Sequence, residues 1–145
     1  MERVESWDLK LDDFILSRQN KKFKWGVQDC ALFACDCIKE ITGQDVAYYF
    51  RGKYKNKNEA YLMLFEFSGG GLEETAEKLT KEFGMKETTK EFAGRGDVCL
   101  CNVPTVINEE LPTLGVIGMT GKIHIPGTKK LQIFEKNSGV RFWKV

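Results

Sequence analysis

Most of the potential chemistry of this chain rests on two residues, Cys30 and His124, the latter its sole histidine. Cys30 lies in Trp25-Gly26-Val27-Gln28-Asp29-Cys30-Ala31-Leu32-Phe33, where a glycine-containing loop gives way to a helical pattern. A thiol on the first turn of a helix meets unpaired backbone N–H groups and the positive end of the macrodipole. Both favour thiolate, the nucleophilic form. Asp29 suits either a helix cap or a group that positions a substrate amide. A nucleophile of this kind needs a base within hydrogen-bond reach, and imidazole is the usual one.

Positioning that pair falls to a helix and a hairpin. From Asp29 to Thr42 the stripe Cys30, Phe33, Ala34, Cys37, Ile38 and Ile41 has helical period, and Gly43 supplies the stop. Ser6-Trp7-Asp8 is the expected cap of an earlier helix reaching Arg18. Asn58 is the expected cap of a helix through Phe65, Ser68 to Gly71 breaks it, and Leu72 to Phe83 resumes. Past Gly84 the pattern changes to strands: Asp97–Val103, Thr113–Ile117, Lys122–Ile125, Leu131–Phe134 and Val140–Val145, read as a meander. Helices first and antiparallel strands after predict one α+β domain over 1–145. Its helical half is 1–84 and its sheet half 85–145, with the helices on one face of the sheet. If Gly118 to Gly121 form a four-residue loop, Gly115 faces His124 and Thr113 faces Pro126. Thr113, Gly115 and His124 then share one face, with room beside the imidazole.

Composition narrows the partners. The chain has 145 residues, with 22 basic and 21 acidic side chains netting +1, so no global charge favours nucleic acid or an anionic membrane. The runs Lys21 to Lys24 and Lys53 to Lys57 read as solvated loops. The charged start, Met1 to Glu5, lacks the apolar stretch of a signal peptide, and no segment has the roughly 18 apolar residues of a membrane span. A reducing compartment follows. The cysteine count is odd, at five: Cys30, Cys35, Cys37, Cys99 and Cys101. Those other than Cys30 read as small buried hydrophobes. A zinc site joining Cys30 or Cys99 and Cys101 to His124 is an alternative that the spacing leaves open. The triple glycine 69–71 lacks the lysine of a phosphate loop, and the aromatics Tyr48 to Tyr54 read as core.

The segment from Trp25 to Phe33 resembles the W-G-x-x-D-C-x-x-F signature of NlpC-type papain-like cysteine peptidases. Gly94-Arg95-Gly96-Asp97-Val98 is similar to the G-D-[VL] of that family's first core strand, Thr113 to Gly118 to its H-V-G-I-Y strand, and Ile123 to Gly127 to its I-H-A-P segment. Arg141-Phe142-Trp143 and the helix pair around Gly69 to Leu72 resemble a branch encoded in phage and prophage tail-gene regions. The resemblance implies a papain-like α+β fold and a tail-associated cysteine peptidase or amidase. Its implied substrates are peptide or isopeptide amides such as peptidoglycan stem peptides, and no cofactor is implied. Cys30 is then the nucleophile and His124 the base or orienting group. Asp29 and the Cys30 N–H line the oxyanion region, and Trp25, Thr113 and Gly115 face substrate. It also implies synthesis in the host cytoplasm and a place in the virion tail. The family's base falls on Thr113, which cannot accept a thiol proton near neutral pH. The alternative is a non-catalytic tail assembly or adaptor protein that holds a peptide in the degenerate groove.

Overall fold

A computed structural model describes residues 1–104 and 111–145. Among these described residues, four α-helices precede six strands: α1 Trp7–Arg18, α2 Cys30–Thr42, α3 Lys57–Ser68, α4 Leu72–Glu82, then β1 Glu87–Thr88, β2 Val98–Cys101, β3 Thr113–Ile117, β4 Ile123–Pro126, β5 Leu131–Phe134 and β6 Gly139–Trp143. The α+β class and the order of its halves are as the residue patterns predict.

Helix α2 is the central element, buried along nearly its whole circumference. Phe33 and Ile41 are fully buried, each contributing about 1.5–3 kcal/mol by removal from water. Its carboxylate Asp36 survives inside the fold because Arg51 lies 2.7 Å and Arg18 3.5 Å away. The helix ends at Gly43, whose φ of 76° suits a residue without Cβ. Helix α1 packs against it, with Phe14 stacked on Phe33 at 6.1 Å. Two expected caps differ. Ser6 sits at φ 57° and makes no side-chain cap bond, so α1 starts without one. The cap of α3 is Asn56, not Asn58: Asn56 Oδ1 accepts from the Glu59 N–H at 2.9 Å, and Glu59 accepts from Asn56 Nδ2 at 3.1 Å. That reciprocal bonding needs an acid three residues on, which Asn58 lacks.

The strands form one antiparallel sheet in the order β1-β6-β2-β3-β4-β5. The expected meander holds from β2 to β5 and then fails, because β6 returns to pair with β2. Four strand spacings separate β5 from β6 in that order, about 19 Å in a flat sheet. The five residue steps from Phe134 to Gly139 reach at most about 18 Å. The sheet must therefore curl on itself. Its inner face carries Cys99, Cys101, Thr113, Ile117, Ile123 and Ile125, all fully buried. The other face meets the helices: Arg141 reaches Glu73 of α4 at 3.1 Å, and Leu114 lines one cavity with Leu72, Ala76 and Leu79 of α4.

Candidate functional site

The loop leading into α2 is held from within. Lys24 and Gln28 exchange backbone hydrogen bonds of 3.1 and 2.8 Å, closing a tight turn through Gly26. A Cβ on Gly26 would lie 2.2 Å from the Tyr54 carbonyl oxygen, and φ is +80°, so only glycine fits. Asp29 Oδ2 accepts from the Gly26 N–H at 2.9 Å and the Tyr54 hydroxyl at 2.5 Å, while Oδ1 accepts from the Leu32 N–H at 2.8 Å. Of the two roles open to Asp29, the structure shows the cap. Its acceptors are engaged by the fold itself, and burial raises its pKa against the lowering pull of those donors.

Cys30 follows as the first residue of α2, and it is only 4% exposed. Its sulfur lies beside the Thr113 hydroxyl and the Leu114 N–H. The expectation of a low thiol pKa is not met. Burial, and secondly the Asp29 charge, push it up to about 11. Desolvation outweighs the helix end because a buried thiolate forfeits its hydration, and the few donors at the helix start return less than that. Cys35 and Cys37 are raised too, chiefly by burial, and all five cysteines are buried free thiols.

His124 does not stand where the four-residue loop would place it. The connection runs from Gly118 to Lys122, closed by a Gly118 N–H to Lys122 O bond of 2.9 Å, and the register is Val116 opposite His124 and Ile117 opposite Ile123. One residue of slip moves a side chain to the other face. Thr113 and Gly115 point inward with Ile123 and Ile125, while His124 shares the helix-facing side with Val116. A Cβ on Gly115 would lie 2.4 Å from Ile123 and 2.9 Å from Ile125, so the space beside Gly115 belongs to isoleucines rather than to imidazole. Three residues of strand and one strand spacing put the α-carbons of His124 and Thr113 about 11 Å apart. Burial lowers the His124 pKa, and Asp12 of α1 is the charge that acts on it.

The structure thus brings Trp25, Asp29, Cys30 and Thr113 together and sets His124 apart. Thr113 is fully buried, and its hydroxyl has no nitrogen or oxygen partner among the described residues, with the Cys30 sulfur as its polar neighbour. The ladder between β3 and β4 stops at Val116, since Pro126 two positions on has no N–H to extend it. The Leu114 N–H, beyond the end of that ladder, lies beside the Cys30 sulfur instead. Cys99 and Cys101 lie on the inner face, 3.5 Å apart at sulfur, on the side of the sheet that His124 does not share. Among the described residues no group of three or more His, Cys, Asp or Glu side chains converges as a metal site would need.

Beside Cys30 lies an apolar cavity of about 50 Å³, walled by Trp25, Tyr54, Tyr61, Leu64, Ala76 and Leu114. Tyr54 and Tyr61 were legible only as aromatics, because what assigns them is a contact across more than twenty positions to Asp29 and Cys30. Of the aromatics expected in the core, Phe50 and Tyr54 are buried and Tyr48 is exposed. No described helix is long and apolar enough to cross a membrane. A family model described as "Domain of unknown function (DUF6950)" matches residues 2–145. No curated protein and no solved structure matches the chain.

Proposed function

The chain belongs to the DUF6950 family, and from that premise we propose that it is a non-catalytic adaptor on a papain-like, NlpC-type scaffold. In this reading it is made in the host cytoplasm, joins a phage or prophage tail, and holds an apolar side chain of a tail partner in the cavity beside Cys30. The observation that carries it is a thiol enclosed at 4% exposure, pushed up to about 11, with threonine where the base would stand. Such a thiol is overwhelmingly protonated at neutral pH and has no group beside it that takes the proton. The tail context rests on the sequence resemblance.

Alkylation kinetics test the reading. At pH 8 the folded thiol should react about a hundredfold more slowly than the same cysteine in the unfolded chain, as the difference between a pKa of about 11 and the ordinary value of 9.0 requires. Cys30→Ser, which keeps the size of the cavity wall and removes the thiol, should weaken partner capture by no more than a few-fold. An alkylation midpoint below about pH 8, together with cleavage of a peptidoglycan stem peptide that Cys30→Ala abolishes, would establish the second reading, a cysteine amidase. What favours that second reading is the placement of Cys30 at the head of α2 and at the cavity wall.

A further inference from the structure

We propose a second binding surface, away from Cys30, at which the edge of β5 around Ile133 takes an extended acidic peptide segment as an added strand. Three observations converge there. First, β5 ends the sheet, and its bonding parity is fixed. The Gly127 N–H donates to Lys130 O at 3.0 Å, so Gln132 and Phe134 bond inward to β4 while Leu131 and Ile133 present their backbone groups outward. The Leu131 N–H is taken by Gln19 O at 3.0 Å, whereas the N–H and C=O of Ile133 have no backbone partner among the described residues.

Second, a groove of about 430 Å³ runs beside that edge, floored by Ile15, Leu131, Ile133 and Phe134 and flanked by His124 and Lys130. Ile133 is 57% exposed there. An added strand would place alternate side chains into this groove, as strand addition requires.

Third, the rim is basic. The bonds from Phe23 N–H to Gly127 O and from Leu131 N–H to Gln19 O bring the 18–28 segment against the 127–131 turn. Exposed Lys21, Lys22, Lys24, Lys129 and Lys130 are gathered by that contact, and neither 18–28 nor 122–134 contains an acidic residue. In a chain of net charge +1 this is a local concentration of charge, and it selects an acidic partner. A second copy of the chain fits poorly, because antiparallel pairing centred on Ile133 sets Lys130 of one copy opposite Lys136 of the other. A nucleic acid would engage the lysines but would not match the alternating donor and acceptor of the Ile133 edge.

The probe is a short synthetic peptide alternating glutamate and valine, added to the full chain. It should protect the Ile133 amide from hydrogen exchange, and it should bind at least tenfold more weakly to the Lys129→Glu, Lys130→Glu double variant and at raised salt. Ile133→Pro should weaken it as well, at an edge position whose N–H is not needed by the sheet. Cys30→Ala should leave it unchanged, which separates this surface from the cavity. Several outcomes would overturn the proposal: equal binding of a lysine–valine peptide, binding without Ile133 protection, protection that appears only on self-association, or an oligonucleotide that outcompetes the peptide.

Discussion

Asp29 and Asp97 occupy the same local motif and do different work. Each stands three residues after a glycine and accepts that glycine's N–H at 2.9 Å, from Gly26 and Gly94 respectively. Each closes a loop just before a regular element begins. Beyond that they part. Asp29 is completed by neutral donors, the Leu32 N–H and the Tyr54 hydroxyl, so its charge is uncompensated and presses on Cys30. Asp97 is completed by cations, with Lys144 at 2.8 Å and Arg3 at 3.3 Å, and by the Val145 N–H at 3.1 Å. Both carboxylates lie in the segments that carry the sequence resemblance, and both hold backbone. A motif match here locates the loops that build the scaffold, which is a separate matter from locating a reaction.

The contrast predicts unequal losses. Asp97→Ala should cost the most, about 3–4 kcal/mol in urea unfolding, since it strands buried N–H groups and two cations at once. A loss below about 1 kcal/mol would show that water replaces the clasp. Asp29→Ala should cost less, about 2–3 kcal/mol, from a lost cap and an unpaired Tyr54 hydroxyl. The milder Asp29→Asn keeps an acceptor and removes the charge, so Cys30 should alkylate faster at pH 8. No change in that rate would mean burial alone holds the thiol up.

The smallest effect is on the pH axis. Asp29, raised in the fold, stabilises only below its ordinary carboxyl range and loses that contribution as pH climbs through its folded value. His124, lowered in the fold, works the other way: its contribution is present above about pH 6.5 and is lost as pH falls through its folded value. Between about pH 7 and 5.5 stability should therefore fall by under about 1 kcal/mol. His124→Gln should flatten that slope, and a slope that survives the substitution would assign it to carboxylates.

What the residues disclosed in advance was local. The stripe from Cys30 to Ile41, the stop at Gly43 and the span Leu131–Phe134 each follow from spacing within one element. What they withheld depends on parity and on distant contacts. Whether Lys122 belongs to the turn or to the strand decides which face His124 takes, and the glycines at 118 and 121 are compatible with both. The return of β6 to β2, the two-residue β1 and the hydrogen bond from Tyr54 to Asp29 are matters of tertiary packing. Burial, which reversed the expected acidity of Cys30, is not a property of the loop that contains it.

The Asp97 clasp has a topological consequence. By holding Arg3, Lys144 and Val145 on one carboxylate, with Arg3 Nε also donating to Val145 O at 2.8 Å, it makes residues 3 and 145 spatial neighbours. The path from residue 3 to residue 145 nearly closes on itself. A circular permutant that joins those two positions by a short linker and opens at the exposed Thr120-Gly121 tip should retain the clasp, because the folded state already supplies the closure.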